Sequence, residues 1–167
     1  NWGVVMDLIK VLLLFGFVGF LGVWLANGIA VERPASFNVL DSFSNEKESP
    51  GDWISESQIH VYKDRIVLDI EGAVWSRFTD TNSMDPVIDV TSNGIEIVPS
   101  SADQIQVGDI VSYKSEYASG VLIHRVVDKG KDDKGVYFTV KGDNNNSADP
   151  GKIRFSQIEG VLVGILY

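Results

Sequence analysis

Between Lys10 and Glu32 the chain runs for 21 residues without a charge, and Asn27 is the one polar side chain among them. As a helix, residues 11–31 would extend about 30 Å, the thickness of a bilayer's hydrocarbon core. Glu32, Arg33 and Pro34 close the run. A buried core helix and a cleavable leader are the competing readings, and Gly28-Ile29-Ala30 offers a small-x-small site for the second. Leader apolar regions are usually about 7–15 residues long, shorter than this run. The sequence therefore predicts an N-terminal segment and transmembrane anchor over residues 1–31, in contact with membrane lipid. Gly22, Ala26 and Ala30 form a small-residue stripe where a partner transmembrane helix could approach closely. Lys10 precedes the span while Arg33 and Lys47 follow it, so the basic residues do not set its orientation.

Charge and composition narrow what the rest can do. Asp7 and Lys10 are the only charged residues in 1–31, so the net charge of −9 belongs to residues 32–167. An acidic domain lacks the basic face that a nucleic-acid partner requires. The absence of cysteine excludes disulfides, thiolate metal sites and thiol nucleophiles, and His60 and His124 are too few for a multi-histidine metal cage.

Residues 32–58 read as a linker or lead-in, with Ser, Asn, Glu and Pro abundant up to about Asp52. From residue 59 the pattern changes to short runs rich in Val, Ile, Tyr and Phe, punctuated by Gly, Asp, Asn and Pro. Strands are predicted over 60–62, 66–70, 95–98, 109–113, 120–127, 136–141 and 160–167. No apolar stripe of helical period follows the anchor. The expected fold is mostly β: a β-rich domain over 59–167, tethered to one N-terminal transmembrane helix.

Three segments carry candidate chemistry. In Thr81-Asn82-Ser83-Met84-Asp85-Pro86, Asn82 suits a tight turn and Pro86 lacks a backbone donor, so Ser83 falls at a bend. A serine there is a nucleophile only if a base reaches its hydroxyl. In Val121-Leu122-Ile123-His124-Arg125-Val126-Val127, strand alternation places Leu122, His124 and Val126 on one face. His124 is then either a general base or a hydrogen-bonded structural residue. His60 has no comparable surroundings. The third segment, 141–151, is a loop after the strand ending at Lys141. Its Asp143, Asn145 and Asp149 could ligate calcium, although the closing Glu of an EF-hand loop is missing. Alternatively, Asp143 or Asp149 returns to orient an imidazole.

In this order, Ser83-Met84-Asp85-Pro86, Val107-Gly108-Asp109-Ile110-Val111, His124-Arg125-Val126-Val127 and Lys141-Gly142-Asp143-Asn144-Asn145 with Asp149 resemble the type I signal peptidases. The branch is the serine–histidine one of archaea and the endoplasmic reticulum, and the resemblance covers residues 78–167. It implies that Ser83 is the nucleophile and His124 the general base, with Asp149 orienting the base and Asp143 a second required aspartate. Gly108 and Asp109 match a segment that shapes the site. Thr81 and Asn82 depart from the usual Ser-Gly pair: Thr81 keeps a hydroxyl for the oxyanion, and Asn82 suits a turn of positive φ. The resemblance further implies an extracytoplasmic catalytic domain on a single-pass cell-membrane anchor. Its substrates would be signal-peptide-bearing preproteins, cut after small residues at −1 and −3 without a metal or other cofactor. It leaves the substrate-binding residues unassigned. The competing readings are a Ser–Lys protease using Lys114 or Lys141, a non-catalytic membrane-anchored β domain that binds protein partners, and a subunit active only within a membrane complex.

Overall fold

The computed structural model describes residues 47–167. The expected anchor over 11–31, its small-residue stripe and the lead-in up to residue 46 lie outside them. Among the described residues, no helix is long and apolar enough to cross a membrane.

The described chain is mostly β. β1 (Ile59–Val61) and β2 (Ile66–Leu68) form a small antiparallel hairpin. β3 (Val74–Arg77), β4 (Asn93–Ile97), β5 (Ile110–Lys114), β6 (Val121–Asp132), β7 (Gly135–Lys141), β8 (Ile153–Arg154) and β9 (Ile158–Leu166) form one antiparallel sheet in the order β3-β4-β9-β5-β6-β7-β8.

Burial is deepest at β5, which lies between β9 and β6. From Ile110 to Tyr113 every residue of β5 is buried, because both faces of the sheet are covered there. Val111 and Tyr113 enter a core with Ile105, Val126, Phe138, Val140, Ile153 and Val161, whereas Ile110 joins Met84, Ile88 and Leu162 in a second cluster. Fully burying an aliphatic or aromatic side chain contributes about 1.5–3 kcal/mol, so these two clusters hold the sheet's centre rigid. Both the Met84 loop and β6 are attached to that centre.

The predicted strands form with shifts of one or two residues at their ends, and with three differences. β3 and β8 were not anticipated, since neither has a clean alternation long enough to read. β6 runs five residues past the expected end at 127, through Asp128-Lys129-Gly130-Lys131-Asp132. A register shift between Val126 and Asp128 lets the ribbon twist outward, and Tyr137 of β7 packs across Gly130. This ribbon buries little, so its polar composition imitated a loop. Finally, residues 47–58 join the β domain instead of serving as a free lead-in. Trp53 packs on the main core, and its indole and the Gly51 N–H both donate to Asp109.

Candidate active site

The bend at Ser83 has the conformation its sequence suggested. Asn82 has φ 55°, a left-handed value that asparagine tolerates better than branched residues. The turn projects the Ser83 hydroxyl beside Thr81, with 3.1 Å between the two oxygens. A second loop holds this turn from behind: Asn144 donates its backbone N–H to Ser83 O at 3.0 Å and its amide to Asn82 O at 2.9 Å. Gly142 is required for that fit, because a Cβ there would stand 2.5 Å from Ser83 O.

His124 comes from β6, opposite Val111 of β5, on the inward face with Leu122 and Val126 as its alternation predicts. It is 7% exposed. Its Nε2 lies 3.1 Å from Ser83 Oγ, and its Nδ1 is hydrogen-bonded to Asp149 Oδ2. The loop leaving β7 returns Asp149 to this position through its own backbone N–H, which donates to Val140 O at 2.8 Å. Serine, imidazole and carboxylate thus form one continuous chain of contacts.

Tyr113 was not among the residues singled out from the sequence. Its phenol donates to Asp149 Oδ2 and lies 3.5 Å from His124 Nδ1. Burial, together with the hydrogen bond to Asp149 and its negative charge, raises the Tyr113 pKa far above the ordinary tyrosine range. The phenol therefore stays protonated and acts as a donor. The only signal in the sequence was a polar-tipped aromatic at an inward position of β5, and that becomes meaningful only once β5 is known to pair with β6.

Asp143 does not reach His124. It makes a bidentate pair with Arg125, Nε to Oδ1 at 2.8 Å and Nη2 to Oδ2 at 2.6 Å, and Arg125 Nη1 also donates to Gly108 O at 2.7 Å. Two of the three oxygen ligands considered for calcium therefore serve different ends, since Asp143 faces a guanidinium and Asp149 an imidazole. Gly108 has φ 102°, and a Cβ on it would meet Ser49 O at 2.3 Å. Asp109 is fully buried and accepts from Gly51 N, Trp53 Nε1 and Gln106 N at 2.7, 3.0 and 2.8 Å. Gly108 thus meets Arg125 and Ser49, and Asp109 meets Gly51 and Trp53.

Of the two lysines considered as a base, Lys114 pairs with Glu159 at 2.8 Å and Lys141 lines a separate cavity with Gly108 and Arg125. In front of Ser83 lies a cleft of about 240 Å³, lined by Phe78, Thr81, Met84, Ile88, Ile123 and His124 among others. A hydroxyl with an imidazole to accept its proton, a carboxylate behind the imidazole and a mostly apolar cleft in front can perform acyl transfer. No family model, curated protein or solved structure matches the chain.

Proposed function

We propose that the protein is a membrane-anchored serine endopeptidase that removes signal peptides from exported preproteins, with a signal-peptidase-like catalytic domain on the extracytoplasmic side. The observation that carries this reading is His124, whose two ring nitrogens engage Ser83 Oγ at 3.1 Å on one side and Asp149 on the other. The resemblance of the four ordered motifs supports the proposed substrate class, and the apolar run at 11–31 supports the proposed membrane setting.

In the proposed reaction His124 Nε2 accepts the Ser83 proton as Oγ attacks the scissile carbonyl. Asp149 holds the Nδ1–H tautomer and offsets the imidazolium charge. Nε2 then gives the proton to the leaving amine, and water releases the acyl-enzyme by the same route. The Ser83 N–H and the Thr81 hydroxyl are the donors for the oxyanion, each of a kind worth about 3 kcal/mol in the transition state. The cleft before Ser83 favours small side chains at −1 and −3 by excluding bulk. The anchor confines enzyme and preprotein to one membrane surface, which raises their effective concentration.

The test incubates the detergent-solubilised full chain with a preprotein, beside Ser83→Ala and His124→Ala, and reads products by mass spectrometry. A cut after a small-x-small site that both substitutions abolish is expected. An intact preprotein with the wild type, where another signal peptidase cuts it, would overturn the reading.

A further inference from the structure

One face of the hairpin β1–β2 is wholly aliphatic and open to solvent. Ile59 is opposite Leu68 and Val61 opposite Ile66, so the four side chains project to the same side. All four are exposed, Val61 at 73% and Ile66 at 66%. Leu68 also lines a cavity of about 230 Å³ whose other walls are Ile70, Ala73, Val74, Trp75 and Ile95. Trp75 and Ile95 are opposite each other in the β3–β4 ladder, and Trp75 is 61% exposed. The apolar face thus continues from the hairpin to the edge strand of the large sheet, where it opens into a hollow with no charged residue in its walls. The charges of the hairpin are confined to its turn. There Lys63, Asp64 and Arg65 follow Tyr62, and the Arg65 guanidinium lies 4.9 Å over the Tyr62 ring.

Contiguous exposed apolar surface of this kind marks a contact with another phase or molecule. A protein partner is specified by hydrogen-bonding groups within and around the contact, and this face presents aliphatic side chains alone. Fluid hydrocarbon needs no such groups, only apolar area. Tyr62 and Trp75, aromatic rings with polar tips beside the aliphatic surface, are the residue types that favour the boundary between acyl chains and headgroups. The long side chains of Lys63 and Arg65 supply donors for lipid phosphates at the same boundary. The tether agrees: extended, residues 32–46 reach at most about 50 Å, so an apolar run held in a bilayer keeps the β domain beside it. We infer that this face docks on the bilayer: the hairpin lies in the interface, and an acyl chain of a phospholipid enters the Leu68–Trp75 cavity. The inference shares the membrane setting proposed above but needs no proteolysis. The hairpin precedes residues 78–167, so the resemblance behind the proposed activity does not extend to it.

The chain has no cysteine, so single introduced cysteines can carry a fluorophore on the full chain reconstituted in phosphatidylcholine vesicles. Val61→Cys and Ala73→Cys probe the hairpin face and the cavity, and Asp133→Cys, in the exposed turn between β6 and β7, is the reference. Labels at 61 and 73 should be quenched by nitroxides on the acyl chains and shielded from aqueous iodide, with the label at 133 showing the reverse. Adding Ile66→Asp to Val61→Cys should lower the docked-to-undocked ratio by about tenfold or more, since burying one such side chain is worth that factor. Iodide reaching 61 and 73 as readily as 133 would overturn the docking. Shielding from iodide without quenching from the lipid would overturn it too, and assign the face to a second copy of the chain. Two positions are read independently, so one variant that fails to fold leaves the other to decide. A label at Val18→Cys, within the apolar run, tests the anchor separately. Quenching there but not at 61 and 73 sinks the docking face alone, and the reverse sinks the anchor alone.

Discussion

Tyr113 and His124 converge on the same atom, Asp149 Oδ2: the phenol donates to the oxygen that the imidazole Nδ1 also contacts. The tyrosine sits diagonally across the β5–β6 ladder from the histidine, with ring centroids 6.3 Å apart. In the proposed mechanism this makes Tyr113 a positioning residue, since it holds the carboxylate that holds the base.

Tyr113→Phe should therefore fold and cleave, with Asp149 one donor short at a stability loss of about 1–3 kcal/mol. Its effect should also have a pH signature. The folded-state pKa of Tyr113 is raised, so the stability it confers is fully present below the unfolded tyrosine value of about 10 and is lost as pH rises beyond it. Alkaline melts of the wild type should show that loss, and Tyr113→Phe should show less of it.

Ser83→Ala and His124→Ala should each reduce cleavage by at least about a thousandfold, and the double substitution should do little more, because the two groups act as a unit. Single-turnover cleavage of a preprotein measures this, with circular dichroism to check that each variant folds.

A protonated imidazole cannot accept the serine proton, so kcat/KM should fall on acidification. A pH profile on the detergent-solubilised protein checks this, and a flat one would count against a histidine base.

Asp143→Asn leaves Arg125 without its bidentate carboxylate in a largely buried position, and should lower stability by about 3 kcal/mol. The pH profile should keep its position, because Asp143 touches Arg125 rather than His124. Thermal melts and the pH–rate curve together separate this from a role at the base.

Asn82→Gly should leave fold and activity intact, because glycine adopts positive φ freely. Asn82→Val should lose about 1–2 kcal/mol, as a branched residue strains a turn with φ 55°. Melting temperature and cleavage rate report both.

Local chemistry was enough to read much of this site in one dimension. Asn82 before Ser83 marked a left-handed turn, the Val121–Val127 alternation put His124 inward, and the polar 141–151 run was a loop. Each of these follows from preferences acting within a few residues. The choice between Asp143 and Asp149 did not, because it depends on which face of β6 each aspartate meets. His124 and Arg125 are neighbours in one strand and so point to opposite faces. The loop after β7, closed by the Asp149 N–H on Val140 O, carries one aspartate to each. Tyr113 and the docking of Trp53 on Asp109 were beyond sequence reading for the same reason. Their partners are 36 and 56 residues away, and only the pairing of strands brings them together.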